Sequence, residues 1–181
     1  MTTIGGSVRP PAVVLFDRDG TLVEDVPYNG DPDRVRPMPT AVDALRMVRE
    51  RGVRTGLISN QSGVARGLLT MAEVDAVNHR VAELLGPFDV VRVCPHGESD
   101  GCRCRKPAPG MIVDALAELG LPPSRAVMIG DIGADVRAGL AAGVRSIMVP
   151  TARTLSSEVA AAPEVAAALI EATRLLIGYA E

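Results

Sequence analysis

Two short stretches of this sequence concentrate the residue types that do chemistry. The first, CPHGESDGCRCRKP at 94–107, holds all three cysteines of the chain and one of its two histidines. Cys94 and His96 are separated by one residue, as are Cys102 and Cys104. Two such pairs joined by a short loop can close a tetrahedron of three sulfurs and one nitrogen. Zn²⁺ accepts that donor set, and four protein ligands leave no open position, so the ion would be structural. A redox pair is one rival reading, although thioredoxin-like sites use C-x-x-C. Thiols gathered by chance are the other. Arg105 and Lys106 follow Cys104 directly. The second stretch, VVLFDRDGTL at 13–22, sets Asp17 and Asp19 at the end of an apolar run.

Both stretches need a scaffold to aim them. Apolar runs rich in Val, Ile and Leu alternate along the chain with stretches of helical period. Strands are expected at 12–17, 54–60, 89–94, 126–131 and 146–150. Thr40 reads as the N-cap of a helix running to about Arg51, with Gly52 as its stop. Thr70, with Glu73 three residues on, reads as a capping box for a helix closed by Gly86. Further helices are expected at 109–119, 132–142 and 163–178. This β-α-β-α order implies an α/β fold, a doubly wound and mostly parallel sheet with helices on both faces. The Gly- and Pro-rich stretches at 27–39 and 95–110 read as loops of one domain spanning 1–181.

In doubly wound sheets, ligands bind beyond the carboxyl ends of the strands. Asp17, Asp19, Ser59, Asn60 and Asp131 all stand at or just past such ends, so they are expected to converge on one rim. Carboxylates brought together repel one another unless a cation sits between them. Mg²⁺ is a hard ion that favours oxygen ligands and substrate phosphates. The set therefore points to a Mg²⁺-phosphoryl site.

Bulk properties exclude other classes. The net charge is −3 with acids and bases interspersed, and aromatic content is 2% with no Trp, which argues against nucleic acid as the main partner. The longest apolar runs, such as 12–16, are too short to span a bilayer. The segment 1–11 lacks the charged-then-apolar pattern of a signal peptide. The expected location is cytoplasmic, where thiols stay reduced. A monomer is expected, because no coiled-coil pattern or long apolar edge stands out.

The motifs also carry a resemblance. DRDGT after an apolar strand is similar to the DxDx[TV] signature of haloacid dehalogenase (HAD) superfamily phosphatases. ISN at 58–60 matches their second motif, a Ser or Thr ending a strand. Lys106 matches their motif lysine, and GDIGAD at 130–135 matches their acidic fourth motif. All four stand in the right order, over about 17–135. NQSGVARG at 60–67 and the CPH…CRCRKPAPGM run narrow the resemblance to the D-glycero-D-manno-heptose 1,7-bisphosphate 7-phosphatases. Histidinol-phosphate phosphatase domains share these patterns.

The resemblance implies a Rossmann-like HAD core with no large cap domain and a zinc-binding loop. It makes Asp17 the nucleophile and Asp19 the acid that protonates the leaving oxygen and then activates water. Mg²⁺ would be held by Asp17, the main-chain carbonyl of Asp19 and Asp131. Ser59 and Lys106 would grip the phosphoryl oxygens. Zinc would be held by Cys94, His96, Cys102 and Cys104, and would fix where Arg105 and Lys106 point. Arg105, Asp25, Tyr28, Asn60, Gln61 and Ser62 would contact the substrate, a small phosphorylated metabolite. Asp135 would orient a neighbour rather than touch the metal. The chain departs from the pattern at Ile132, where the family often has lysine, and nothing after Pro150 matches.

Overall fold

The computed structural model of the protein describes residues 10–178. The leader-free reading of the N-terminus rests mainly on residues 1–9, outside those described. Five strands form one sheet: β1 (Val13–Phe16), β2 (Arg54–Asn60), β3 (Val90–Cys94), β4 (Ala126–Gly130) and β5 (Arg145–Met148). Their order is β3-β2-β1-β4-β5, and every pairing is parallel. All four residues of β1 and all five of β4 are buried, as fits strands covered on both faces.

Among the described residues there are six α-helices, α1 (Ala41–Glu50), α2 (Met71–Leu85), α3 (Gly110–Leu119), α4 (Gly133–Ala141), α5 (Ser156–Ala161) and α6 (Leu169–Ile177), of which all but the exposed α5 pack on the sheet. The period-two alternation of the strands divides the core. Val14, Phe16, Leu57, Val127 and Ile129 point to a layer built by α1, α2 and α6. Val13, Leu15, Ile58, Ala126 and Met128 point to the opposite layer, against α3 and α4. The segment from β1 to α1 holds one short 3₁₀ turn, Pro32–Arg34, and no inserted domain, so no large cap covers the strand ends.

Three expectations need correction. Thr40 does precede α1, but its backbone is left-handed (φ 66°) and its side chain makes no cap bond. Its Oγ1 instead accepts from the Ile170 amide of α6 at 3.3 Å. The C-terminal helix begins at Leu169 and not near Pro163. The residues before it run beside β5, with Met148 N donating to Glu164 O and Ala166 N to Met148 O, both at 2.9 Å. Those bonds satisfy part of the sheet edge, which would otherwise be open. Helix α5 was not expected. By contrast, the capping box of α2 is complete, with Thr70 and Glu73 bonding each other's backbone amides.

Candidate active site

The sheet order places β1 and β4 side by side although their connections lead to opposite edges. The crevice at such a switch point is where α/β sheets bind ligands. Asp17 follows β1 and Asp131 follows β4, so both carboxylates enter that crevice from below. Asp135 joins them from the first turn of α4, and one carboxylate oxygen of each lies within 4.8 Å of the others. The glycine of DRDG is required here. Gly20 adopts φ +85°, and a Cβ on it would stand 2.4 Å from Asp131 Oδ2. Gly130 is equally pressed, since a Cβ there would meet Asp135 Cβ at 2.3 Å.

Lys106 is the cation held among these acids. Its Nζ donates to Asp17 Oδ1 at 2.5 Å and to Ile58 O at 2.8 Å. Asp135 Oδ1 lies 2.6 Å from the same nitrogen, in ionic contact but out of line for a well-directed hydrogen bond. Burial disfavours the ammonium, yet Asp135 and Asp17 overcome it and hold Lys106 above its ordinary value. The acids remain undercompensated. Burial raises Asp17 well above the usual carboxylate range; Lys106 opposes that shift, while Asp135, Asp131 and Asp19 add to it. Burial and the nearby Asp135 push Asp131 up to about 7. A site of buried oxygen donors with surplus negative charge fits a hard divalent cation.

Two side chains after β2 organise the rim. Asn60 grips the Lys106 main chain from both sides, accepting from Lys106 N and donating to Lys106 O, each at 3.0 Å. Gln61 Nε2 donates to Ser59 Oγ at 2.9 Å and to Asp19 Oδ2 at 2.8 Å. Ser59 is buried and keeps its own hydroxyl proton available. Asp19 turns away from the acid cluster. The fully buried Arg18 donates to both its oxygens, through Nε at 3.1 Å and Nη2 at 2.9 Å, and anchors itself on Asn78 Oδ1 of α2 at 2.8 Å.

The cysteine loop folds as a cluster. Sγ of Cys94 lies 3.0 Å from that of Cys104 and 3.6 Å from that of Cys102, and Cys102 and Cys104 are 3.4 Å apart. His96 Nδ1 stands 3.2 Å from Cys104 Sγ and 3.5 Å from Cys94 Sγ. No pair is a disulfide. A zinc ion with Zn–S bonds near 2.3 Å would set tetrahedral S–S edges of about 3.8 Å, so the sulfurs, already gathered, would spread by less than about 1 Å to hold it. Burial holds the Cys94 thiol up at about 12, so thiolate there needs a cation beside it. The four residues thus fit a structural zinc.

The cleft above the acids has a volume of about 330 Å³. Asp17, Asp19, Asp25, Tyr28, Asn60, Gln61, Ser62, Lys106 and Asp131 all line it. Arg105 does not. Its guanidinium faces Glu98 Oε1 and His96 O, each at 3.4 Å, and it borders a separate hollow beside the cysteine loop. Ile132 lines the cleft with an apolar side chain. Asp135, read as an orienting residue, lies in ionic contact with Lys106 and also belongs to the acid cluster. Sequence reasoning missed Arg18, whose position between two site aspartates was a usable signal. It also missed Asn78 and Arg153, which carry none locally.

A family model described as HAD-hydrolase-like matches residues 103–173. The D-glycero-beta-D-manno-heptose-1,7-bisphosphate 7-phosphatase of Haemophilus influenzae is 33% identical over 156 residues, covering 80% of this chain and 85% of that protein. The protein of the same name from Mesorhizobium japonicum is 38% identical over 154 residues, covering 78% and 71%. The crystal structure of the D,D-heptose 1,7-bisphosphate phosphatase of B. bronchiseptica, complexed with magnesium and phosphate, superposes with a TM-score of 0.82 at 28% identity, covering 93% of this chain and 99% of that one. With its motif acids, lysine and serine assembled at one crevice, the chain belongs to the HAD superfamily phosphatases, in the family of the heptose-bisphosphate 7-phosphatases.

Proposed function

We propose that this chain removes the 7-phosphate of D-glycero-D-manno-heptose 1,7-bisphosphate through an aspartyl-phosphate intermediate. The observation that carries the reading is Lys106 fixed between Asp17 and Asp135 at the floor of an acid-lined cleft. The names of the relatives support the choice of sugar.

Asp17 Oδ would attack phosphorus while the bond to the leaving oxygen breaks, and Asp19 would deliver the proton that oxygen needs. Asp19 would then take a proton from water as the water attacks phosphorus and frees Asp17. Arg18 and Gln61 hold the Asp19 carboxylate away from the acid cluster in this structure, and it would turn from them to reach the leaving oxygen. Ser59 would donate its hydroxyl proton to a phosphoryl oxygen, and Lys106 would turn its charge to the same group. Mg²⁺ held by Asp17, Asp131 and the Asp19 carbonyl would add positive charge against the phosphoryl oxygens. Zinc on Cys94, His96, Cys102 and Cys104 would hold the loop from which Lys106 enters the site.

Mg²⁺-dependent phosphate release across both heptose bisphosphate anomers, histidinol phosphate, fructose 1,6-bisphosphate and sugar monophosphates tests this. Preference for a heptose bisphosphate, abolished in Asp17→Asn, is expected. Preference for histidinol phosphate, or no turnover with both metals loaded, refutes the reading.

A further inference from the structure

Three cations line the cleft: Arg18, Lys106 and Arg153. Arg18 is buried against Asp19 and Asn78, and Lys106 is buried between Asp17 and Asp135. Arg153 is different. Its side chain is 61% exposed, and Nη1 meets Asp25. That contact ties the loop after β1 to the segment after β5, two walls of the same cleft.

The base of Arg153 is well fixed. Thr151 N donates to Thr154 Oγ1 at 2.8 Å, and Arg153 N donates to Thr151 Oγ1 at 3.2 Å. Thr154 Oγ1 in turn donates to Asp131 O at 2.7 Å. The turn that presents Arg153 is therefore bonded directly to the residue that ends β4 and enters the acid cluster. Its guanidinium is exposed at the tip, and its main chain is anchored at the root.

We propose that Arg153 is a specificity-determining residue that binds the second, non-reacting phosphate of a bisphosphate substrate, with Asp25 as its exchangeable partner in the free enzyme. The inference rests on the reading above, that the substrate carries two phosphates. Each phosphate monoester brings about −1.5 to −2 charges near neutral pH. The reacting group is met at the cleft floor by Lys106 and Ser59. The other must sit toward the mouth, where Asp25 would repel it and Ile132, Val26 and Pro27 offer no charge. Arg105 is turned to Glu98. Arg153 has a planar fork suited to two phosphate oxygens, and its bond to a singly charged carboxylate is one that a phosphate can displace.

The test compares kcat/KM for heptose 1,7-bisphosphate and fructose 1,6-bisphosphate with that for heptose 7-phosphate and fructose 6-phosphate. The proteins are wild type, Arg153→Gln, Arg153→Lys and Asp25→Asn, each checked for a native circular dichroism spectrum. The bisphosphate-to-monophosphate ratio should fall about 10- to 100-fold in Arg153→Gln, through KM, and recover in part with lysine. Asp25→Asn should keep or raise the ratio. Equal losses on both substrate types in Arg153→Gln, or a ratio held within about threefold, overturn the inference while the proposed function stands. A fall of the ratio in Asp25→Asn overturns the exchange. A wild-type enzyme with no preference for bisphosphates overturns the proposed function, and this inference with it.

Discussion

Replacing Lys106 by Met removes the ammonium and keeps most of the side chain's bulk. Asp17 and Asp135 then face each other with no cation in contact, and the carbonyl of Ile58 loses its donor. Breaking a buried ion pair by deleting one partner costs about 3–5 kcal/mol. Here the cost must depend on pH. Lys106 is what opposes the rise of the Asp17 pKa, so its loss lets Asp17 rise further. A carboxyl raised in the folded state destabilises that state as pH climbs through the raised value. Urea unfolding of metal-free protein should therefore show a small deficit for Lys106→Met at pH 5 and most of the 3–5 kcal/mol at pH 8. Adding Asp135→Asn should restore about 0.5–3 kcal/mol, the range for groups in one network. Turnover should fall on the order of 10²- to 10³-fold, as when a donor to a developing charge is lost. A deficit below about 1 kcal/mol at pH 8, or one equal at both pH values, would refute the account of the acid cluster.

Other outcomes follow from the same geometry. Gly20→Ala should lower stability by about 1–2 kcal/mol through its left-handed backbone and weaken Mg²⁺ binding, because the new Cβ displaces Asp131; unchanged Mg²⁺ affinity by calorimetry would count against it. Wild-type protein without Mg²⁺ should lose stability between about pH 4 and pH 7, since Asp131 is raised from 3.8 to about 7, and Mg²⁺ should flatten that slope in thermal melts. Purified wild type should contain one zinc per chain by elemental analysis. Cys104→Ser should contain little and melt at least several degrees lower.

Much of this was legible because it is local. Each strand reads from a short Val-, Ile- and Leu-rich run, and the Thr70–Glu73 box is complete within four residues. Asp17 and Asp131 of the acid cluster, and the cysteine loop, were also found, since their residue types stand out at the strand ends or close together in sequence; Asp135 was read only as orienting a neighbour, and Asp19 was expected among them but faces Arg18. Thr40 failed for a physical reason: its hydroxyl bonds α6, far along the chain, so no nearby residue announces that it caps nothing. Arg18 finds Asn78, and Arg153 finds Asp25, through equally distant pairings. Arg105, a basic residue beside Lys106 in sequence, was read as a substrate contact; adjacent positions project differently, and here it does not line the cleft but faces Glu98 on the loop.

The sheet order has a consequence for assembly. β1 pairs with β2, the next strand along the chain after α1, but its other edge is filled by β4, with Val13 beside Ala126. During synthesis the first half of the chain therefore emerges with its central strand unpaired on one side, an edge prone to pairing with other chains. Asp17 and Asp131 meet only when β4 has docked there. A divalent cation that binds both carboxylates binds only the docked form, and so stabilises that long-range pairing by mass action. A cation held there would thus also act as a fastener that closes the sheet.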